Sequence, residues 1–205
     1  MDQLELRDDE IEALGMRGFF VRDAFLGKER AHAVHSEARE RAQAGTLKPA
    51  GIRRGADRTE DTSVRDDFIG WILPEAGSAL GSLWEAFSEL GGALSAGAYL
   101  GLGRFDLQLA HYPGGGARYV RHRDAFPGQS NRRVTAIYYA NPDWRPEHGG
   151  MLRLYLEDGT LDVEPTLDRL VVFLSERLEH EVLPAHAPRL ALTAWYYGRD
   201  GAGLR

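Results

Sequence analysis

The second half of the chain alternates between apolar and polar positions. Runs at 104–112, 118–123, 133–140, 151–156, 161–164, 169–174, 179–183 and 189–197 follow one another closely. Each of these runs reads as a short strand. The clusters "PGGG", "PGQSN", "NPDWRPEHGG" and "EDGT" separate them as turns. "PGGG" precedes a strand and not a helix, so it is read as a hairpin turn and not as a phosphate loop. Short strands in such succession, without helical interludes, predict a sandwich, jelly roll or barrel.

The first half follows a longer period. Asp8 or Asp9 is placed to cap a short helix carrying Ile11 and Leu14. "GFFVRDAFL" reads as a short strand running into a loop. Ala31, Val34, Ala38 and Ala42 fall at helical spacing between Gly27 and Ala44. Leu80, Leu83, Trp84, Phe87 and Leu90 mark the apolar stripe of a helix over 75–90. These helices are expected on the outside of one sheet. The stretch "GIRRGADRTEDTSVRDDFIGWIL" is polar and charged as far as Asp67 and strand-like over 68–73. A solvated loop and a binding loop are both open readings of its charged part.

The formal net charge of −6 argues against a nucleic-acid binder, which needs a basic excess. There is no cysteine, which excludes disulfides, thiolate metal sites and cysteine nucleophiles. Any metal must take His, Asp or Glu, a set suited to Fe(II), Mn(II), Zn(II) or Mg(II). The acidic, amphipathic start "MDQLELRDDEIEAL" is unlike a signal peptide, and no apolar run reaches membrane-spanning length. A cytoplasmic protein without membrane partners is expected.

Within that donor set, His122 and Asp124 stand two apart in a run that reads as a strand, so they share a face. A surface ion pair is one reading, and half a metal site is another. His180, in the distant strand-like run "LEHEVLPAH", is the best third ligand. Two histidines and one carboxylate form the facial triad of non-haem iron oxygenases, which leaves coordination positions open. Arg189 begins the last strand and could clamp a carboxylate through two N–H groups. Tyr139, Tyr112 and Thr193 could add hydroxyl hydrogen bonds, although both tyrosines also suit a core. His32, His35, His111, His148 and His186 form no second site.

The segments "YPGGGARYVRHRDAF", "RRVTAIYYANPDW", "GGMLRLY" and "VEPTLDRLVVFLSERLEHEVLPAHAPRLALTAWYYG" resemble the Fe(II)- and 2-oxoglutarate-dependent prolyl hydroxylases. The likeness is to the subfamily of the animal oxygen-sensing (hypoxia-inducible factor) prolyl hydroxylases, in its bacterial form. It covers 104–198 densely, and "VRDDFIGWI" resembles the end of that subfamily's substrate loop. The resemblance implies a mainly β fold with α elaboration: a double-stranded β-helix (jelly-roll, cupin-like) core supported by N-terminal helices. It implies one oxygenase domain over 1–205, with support and substrate loop in 1–100 and core in 101–198. It implies His122, Asp124 and His180 as iron ligands, and Arg189, Tyr139, Tyr112 and Thr193 around 2-oxoglutarate. Tyr119, Arg132, Trp195, Arg65 and Asp67 match substrate-binding positions.

The implied reaction uses Fe(II), 2-oxoglutarate and O₂, with ascorbate as candidate reductant. It hydroxylates a proline of a protein partner, with the translation machinery as a candidate target class and a monomer favoured. The chain departs from the animal enzymes at "AFPGQSN", 125–131, and has no zinc-finger segment, which leaves the substrate open. Two rivals stand beside this reading. One is a hydroxylase of a free amino acid or other small molecule, and the other is a non-catalytic metal-containing β-barrel for sensing or binding.

Overall fold

The computed structural model describes residues 4–51, 64–126, 128 and 130–199. Three helices, α1 (Asp8–Arg17), α2 (Lys28–Gln43) and α3 (Ala79–Gly97), lie among three strands, β1 (Phe19–Arg22), β2 (Lys48–Pro49) and β3 (Phe68–Ile72). Apart from a single 3-10 turn at Pro146–His148, the remaining elements are strands: β4 (Leu102–Tyr112), β5 (Ala117–His122), β6 (Arg132–Tyr139), β7 (Leu152–Leu156), β8 (Gly159–Val163), β9 (Arg169–Leu174), β10 (Glu179–Ala185) and β11 (Arg189–Gly198). A seven-stranded sheet runs β1-β9-β6-β11-β4-β3-β2, and a four-stranded sheet runs β5-β10-β7-β8. All strand pairs are antiparallel. This is the double-stranded β-helix expected from the sequence.

Alternation decides which side chains face the helices and which face the site. In β11, Leu190, Leu192, Ala194 and Tyr196 join the large apolar cluster that also holds the stripes of α2 and α3. The intervening Arg189, Ala191, Thr193 and Trp195 line the cavity between the sheets. In β6, Val134, Ala136 and Tyr138 face the helices. Ile137 and Tyr139 belong to a second cluster, with Phe173 and Leu154. The helices therefore cover one face of the larger sheet, and its other face is left for chemistry.

Three local expectations change. The cap of α1 is Arg7 and not an aspartate; Glu10 closes the first turn by accepting from the Arg7 backbone N–H at 2.9 Å. The third helix runs to Gly97, beyond the predicted end, through the glycine-rich "GGALSAG". Tertiary packing outweighs propensity there: a Cβ on Gly91 would meet the Tyr196 ring at 2.8 Å, so glycine lets the helix lie against β11. "PGGG" is not a hairpin turn. It carries the chain from β4, in the larger sheet, to β5, in the smaller one. Gly114, Gly115 and Gly116 all take positive φ to do so.

Glu10 also ties α1 to β1. Its carboxylate is buried and accepts from Arg22 Nε at 2.7 Å and from a second Arg22 nitrogen. Burial pushes its pKa up, but the hydrogen bonds and charge of Arg22, with the Arg7 N–H, hold it below the ordinary value of 4.5. A lowered folded-state pKa gives stability that is complete above the unfolded value and lost as pH falls through the folded one. Glu10→Gln is expected to cost about 3 kcal/mol at neutral pH, as for a broken buried pair. Urea unfolding should show its gap from the unsubstituted protein shrinking as pH drops below 4.5.

Candidate metal and co-substrate site

His180 in β10 and His122 in β5 are directly opposed in the antiparallel register. Opposed residues point to the same face, which brings the two imidazoles together; their ring centroids are 4.2 Å apart. Asp124 does not share a strand with His122, as the i, i+2 reading expected. β5 ends at His122 and Asp124 lies in the bend beyond it. The bend still returns the carboxylate to the histidines. Oδ1 lies 3.8 Å from His122 Nε2, and Oδ2 lies 3.9 Å from His180 Nε2. One ligand atom from each of the three fits within 4.8 Å of the others.

The donors suit a divalent metal. His122 Nδ1 lies 2.8 Å from the Val120 carbonyl oxygen. That contact needs a proton on Nδ1 and leaves the Nε2 lone pair facing the carboxylate. Burial pulls the His122 pKa down to about 4, helped by His180. Burial also lowers His180. For Asp124 burial works upward, but His180, His122 and hydrogen bonds from Thr135 and Trp195 win and lower it. Two neutral imidazoles and one carboxylate are thus ready at neutral pH without losing protons.

Arg189 stands in the same cavity, of about 940 Å³. It is 3 % exposed, and no carboxylate pairs with it among the described residues. A buried guanidinium without a counter-ion calls for an anionic ligand. Its Nε donates to the Gly150 carbonyl at 2.7 Å, which leaves the terminal N–H groups for that ligand. Gly150 has φ +71° and a Cβ there would meet Arg189 Cδ at 2.8 Å, so only glycine fits this seat. The guanidinium carbon lies 4.8 Å from the Tyr112 ring centre and 5.0 Å from that of Tyr139. The Tyr139 hydroxyl is buried beside Arg189, and burial raises its pKa against the charge and hydrogen bonding of Arg189, keeping it a neutral donor. Burial raises Tyr112 in the same way. A diacid bound to the metal at one end and to Arg189 at the other matches these donors.

All the site residues predicted from sequence line this cavity except Tyr139 and Asp67. Tyr139 packs behind Arg189. Asp67 is buried, and its carboxylate takes both Arg65 Nε and Arg65 Nη2, at 2.8 and 2.6 Å. It reaches the cavity only through Arg65, which lies over the Tyr119 ring at 4.3 Å. Tyr119 in turn stacks on His122 at 3.7 Å. Arg132 covers Trp195 at 4.4 Å. Most of the charged stretch 53–67 lies outside the described residues. Sequence reasoning missed Thr135, Gly150 and Trp71. Thr135 alternates with Ile137 and Tyr139 in β6, a period that could have flagged a polar residue on the inner face.

The fold and donor set match those of the 2-oxoglutarate-dependent non-haem iron oxygenases. Residues 107–197 match the model of the 2OG-Fe(II) oxygenase superfamily. The chain is 36% identical over 201 residues to human Egl nine homolog 1, covering 93% of this chain and 46% of that protein. It spans about half the length of the curated relatives it matches first. A Pseudomonas putida prolyl-4-hydroxylase structure shares 38% identity and a TM-score of 0.83, with 93% of this chain and 98% of that one covered. A Trichoplax adhaerens prolyl hydroxylase, solved with a hypoxia-inducible factor oxygen degradation domain peptide, shares 31% identity at TM-score 0.79, covering 92% and 87%. The chain belongs to the 2OG-Fe(II) oxygenase superfamily and is homologous to these prolyl hydroxylases. Members of this family use Fe(II), 2-oxoglutarate and O₂, and the His–Asp–His triad is present here. No helix among the described residues is long and apolar enough to cross a membrane.

Proposed function

We propose that the chain works as one oxygenase unit that hydroxylates a prolyl residue of a protein, with conversion of 2-oxoglutarate to succinate and CO₂. The observation that carries this is the unpaired, buried Arg189 in one cavity with the His122–Asp124–His180 cluster. When bound, Fe(II) with 2-oxoglutarate and O₂ supplies the power to put oxygen into an unactivated C–H bond. The chain supplies the rest. His122, Asp124 and His180 would hold the metal, a set of three ligands that would leave it positions for the co-substrate. Arg189 binds the far carboxylate of the co-substrate, Tyr139 adds its hydroxyl, and Tyr112 and Thr193 wall the pocket. Ile137, Leu152 and Ala191 keep water from its sides.

A protein substrate is favoured by the mouth. Trp71 and Phe126 line the cavity yet stand 54% and 50% exposed, and Arg132 and Trp195 lie beside them. Half-exposed aromatics at a cavity entrance suit an extended chain better than a free amino acid, which needs an enclosed site. Tyr119, Arg132, Trp195 and Arg65 would meet that chain, with Asp67 holding Arg65 in place. The Trichoplax homologue was solved with a peptide, which supports the same reading.

Succinate release tests it. A library of proline-containing peptides, with translation proteins sampled first, should stimulate turnover, and mass spectrometry should find one added oxygen on a proline. Stimulation by free proline and by no peptide would overturn the protein-substrate reading. The target within the library then identifies the partner.

A further inference from the structure

Asp124 lies outside any strand, so no backbone ladder fixes its carboxylate. Two side chains do. Thr135 Oγ1 donates to Asp124 Oδ2 at 2.7 Å, and Trp195 Nε1 donates to the same oxygen at 3.0 Å. Thr135 in β6 and Trp195 in β11 are directly paired in register, so the two donors come from neighbouring strands of the rigid sheet. Their direction is not ambiguous. An ionised carboxylate only accepts, and an indole N–H only donates. The single Thr135 proton therefore goes to Oδ2, and its oxygen accepts in turn from Ser175 Oγ at 2.9 Å. Thr135 and Ser175 are both fully buried, so water does not compete for these bonds.

We infer that Thr135 and Trp195 are positioning residues for the metal: they occupy Oδ2 of Asp124 so that Oδ1 alone is offered as a ligand, and Ser175 sets the orientation of the Thr135 hydroxyl. A carboxylate bound through one oxygen leaves one more coordination position free than one bound through both. Keeping Oδ2 engaged therefore protects the open face on which the co-substrate depends. Outer hydrogen bonds of this kind fix a ligand's angle and typically account for about 10- to 100-fold in metal affinity. The inference rests on the metal reading of the triad.

The test is anaerobic titration of the metal-free full chain with Mn(II), followed by electron paramagnetic resonance. Thr135→Val keeps the shape and removes the hydroxyl, and it should weaken binding by about 10- to 100-fold. Thr135→Ser should recover most of the affinity, which a purely packing role would not predict. Trp195→Phe keeps a ring and removes the N–H; it should weaken binding in the same sense and change the line shape of bound Mn(II). It also keeps the inference testable if Thr135→Val fails to fold. Affinity and line shape unchanged in Trp195→Phe, or a Thr135→Ser protein no better than Thr135→Val, would overturn the inference. Failure of the unsubstituted chain to bind Mn(II) would overturn the metal reading instead, so the two failures are distinguishable.

Discussion

Asp124→Ala is expected to remove measurable Fe(II) retention while leaving the fold in place. Three effects add. The change deletes one of three ligands, and no other acidic residue joins the cluster among the described residues. It removes the only anion of the set, so a divalent charge would enter a buried site faced by two neutral imidazoles, without local compensation. It also frees the Thr135 hydroxyl and the Trp195 N–H that Oδ2 now accepts. The loss should exceed the roughly 100-fold upper range of outer-shell changes. His180→Ala should show a similar loss, but with the charge balance intact, so the comparison separates ligand count from charge. Anaerobic dialysis against Fe(II) followed by iron analysis provides the measurement. Circular dichroism should be unchanged, because Asp124 makes no strand pairing. Iron retained at the unsubstituted level in Asp124→Ala would show that these three residues do not form the metal site.

How much of this was legible in the sequence depends on which force places each element. Where one face is buried, the period is strict and can be read. In β11 the alternation of Leu190, Leu192 and Ala194 with Arg189, Ala191 and Thr193 follows directly from the letters, and so does the side on which Arg189 lies. The opposition of His122 and His180 was not legible, because strand register across 58 residues is set by the whole sheet. The place of Asp124 is not legible for a related reason. "HRDAF" carries no breaker, and the strand ends because β10 begins at Glu179 and pairs with β5 only from His180 onward. "PGGG" reads as a hairpin turn because glycine signals a reversal but not which sheet receives the next strand. The seat under Arg189 was invisible, since it consists of a glycine carbonyl and the absence of a Cβ.

That seat frames the other large effect. Arg189→Met should weaken 2-oxoglutarate binding by at least about 30-fold, yet leave the ligand-free protein at least as stable as before. The signs differ because Arg189 is buried with no carboxylate among the described residues to pair with it. In the ligand-free chain this is an uncompensated charge, and an apolar side chain of similar length relieves it. Against that stands the loss of its bond to the Gly150 carbonyl, about 1 to 3 kcal/mol. In the proposed complex the same charge meets the far carboxylate of the co-substrate. Truncating one partner of such a buried pair costs about 2 to 5 kcal/mol, which is roughly 30- to several thousand-fold in affinity. Arg189→Lys should fall between, because it keeps the charge but loses both the planar fork and the Nε bond that aims it. Calorimetric titration of 2-oxoglutarate into Mn(II)-loaded protein measures the first effect. Thermal unfolding with and without 2-oxoglutarate measures the second. The unsubstituted protein should gain about 2.7 kcal/mol at a hundredfold excess over Kd, and Arg189→Met at the same concentration should gain less than about 1 kcal/mol. A Met variant that binds the diacid normally would mean that the anion docks elsewhere, and the assignment of this cavity to 2-oxoglutarate would then be wrong.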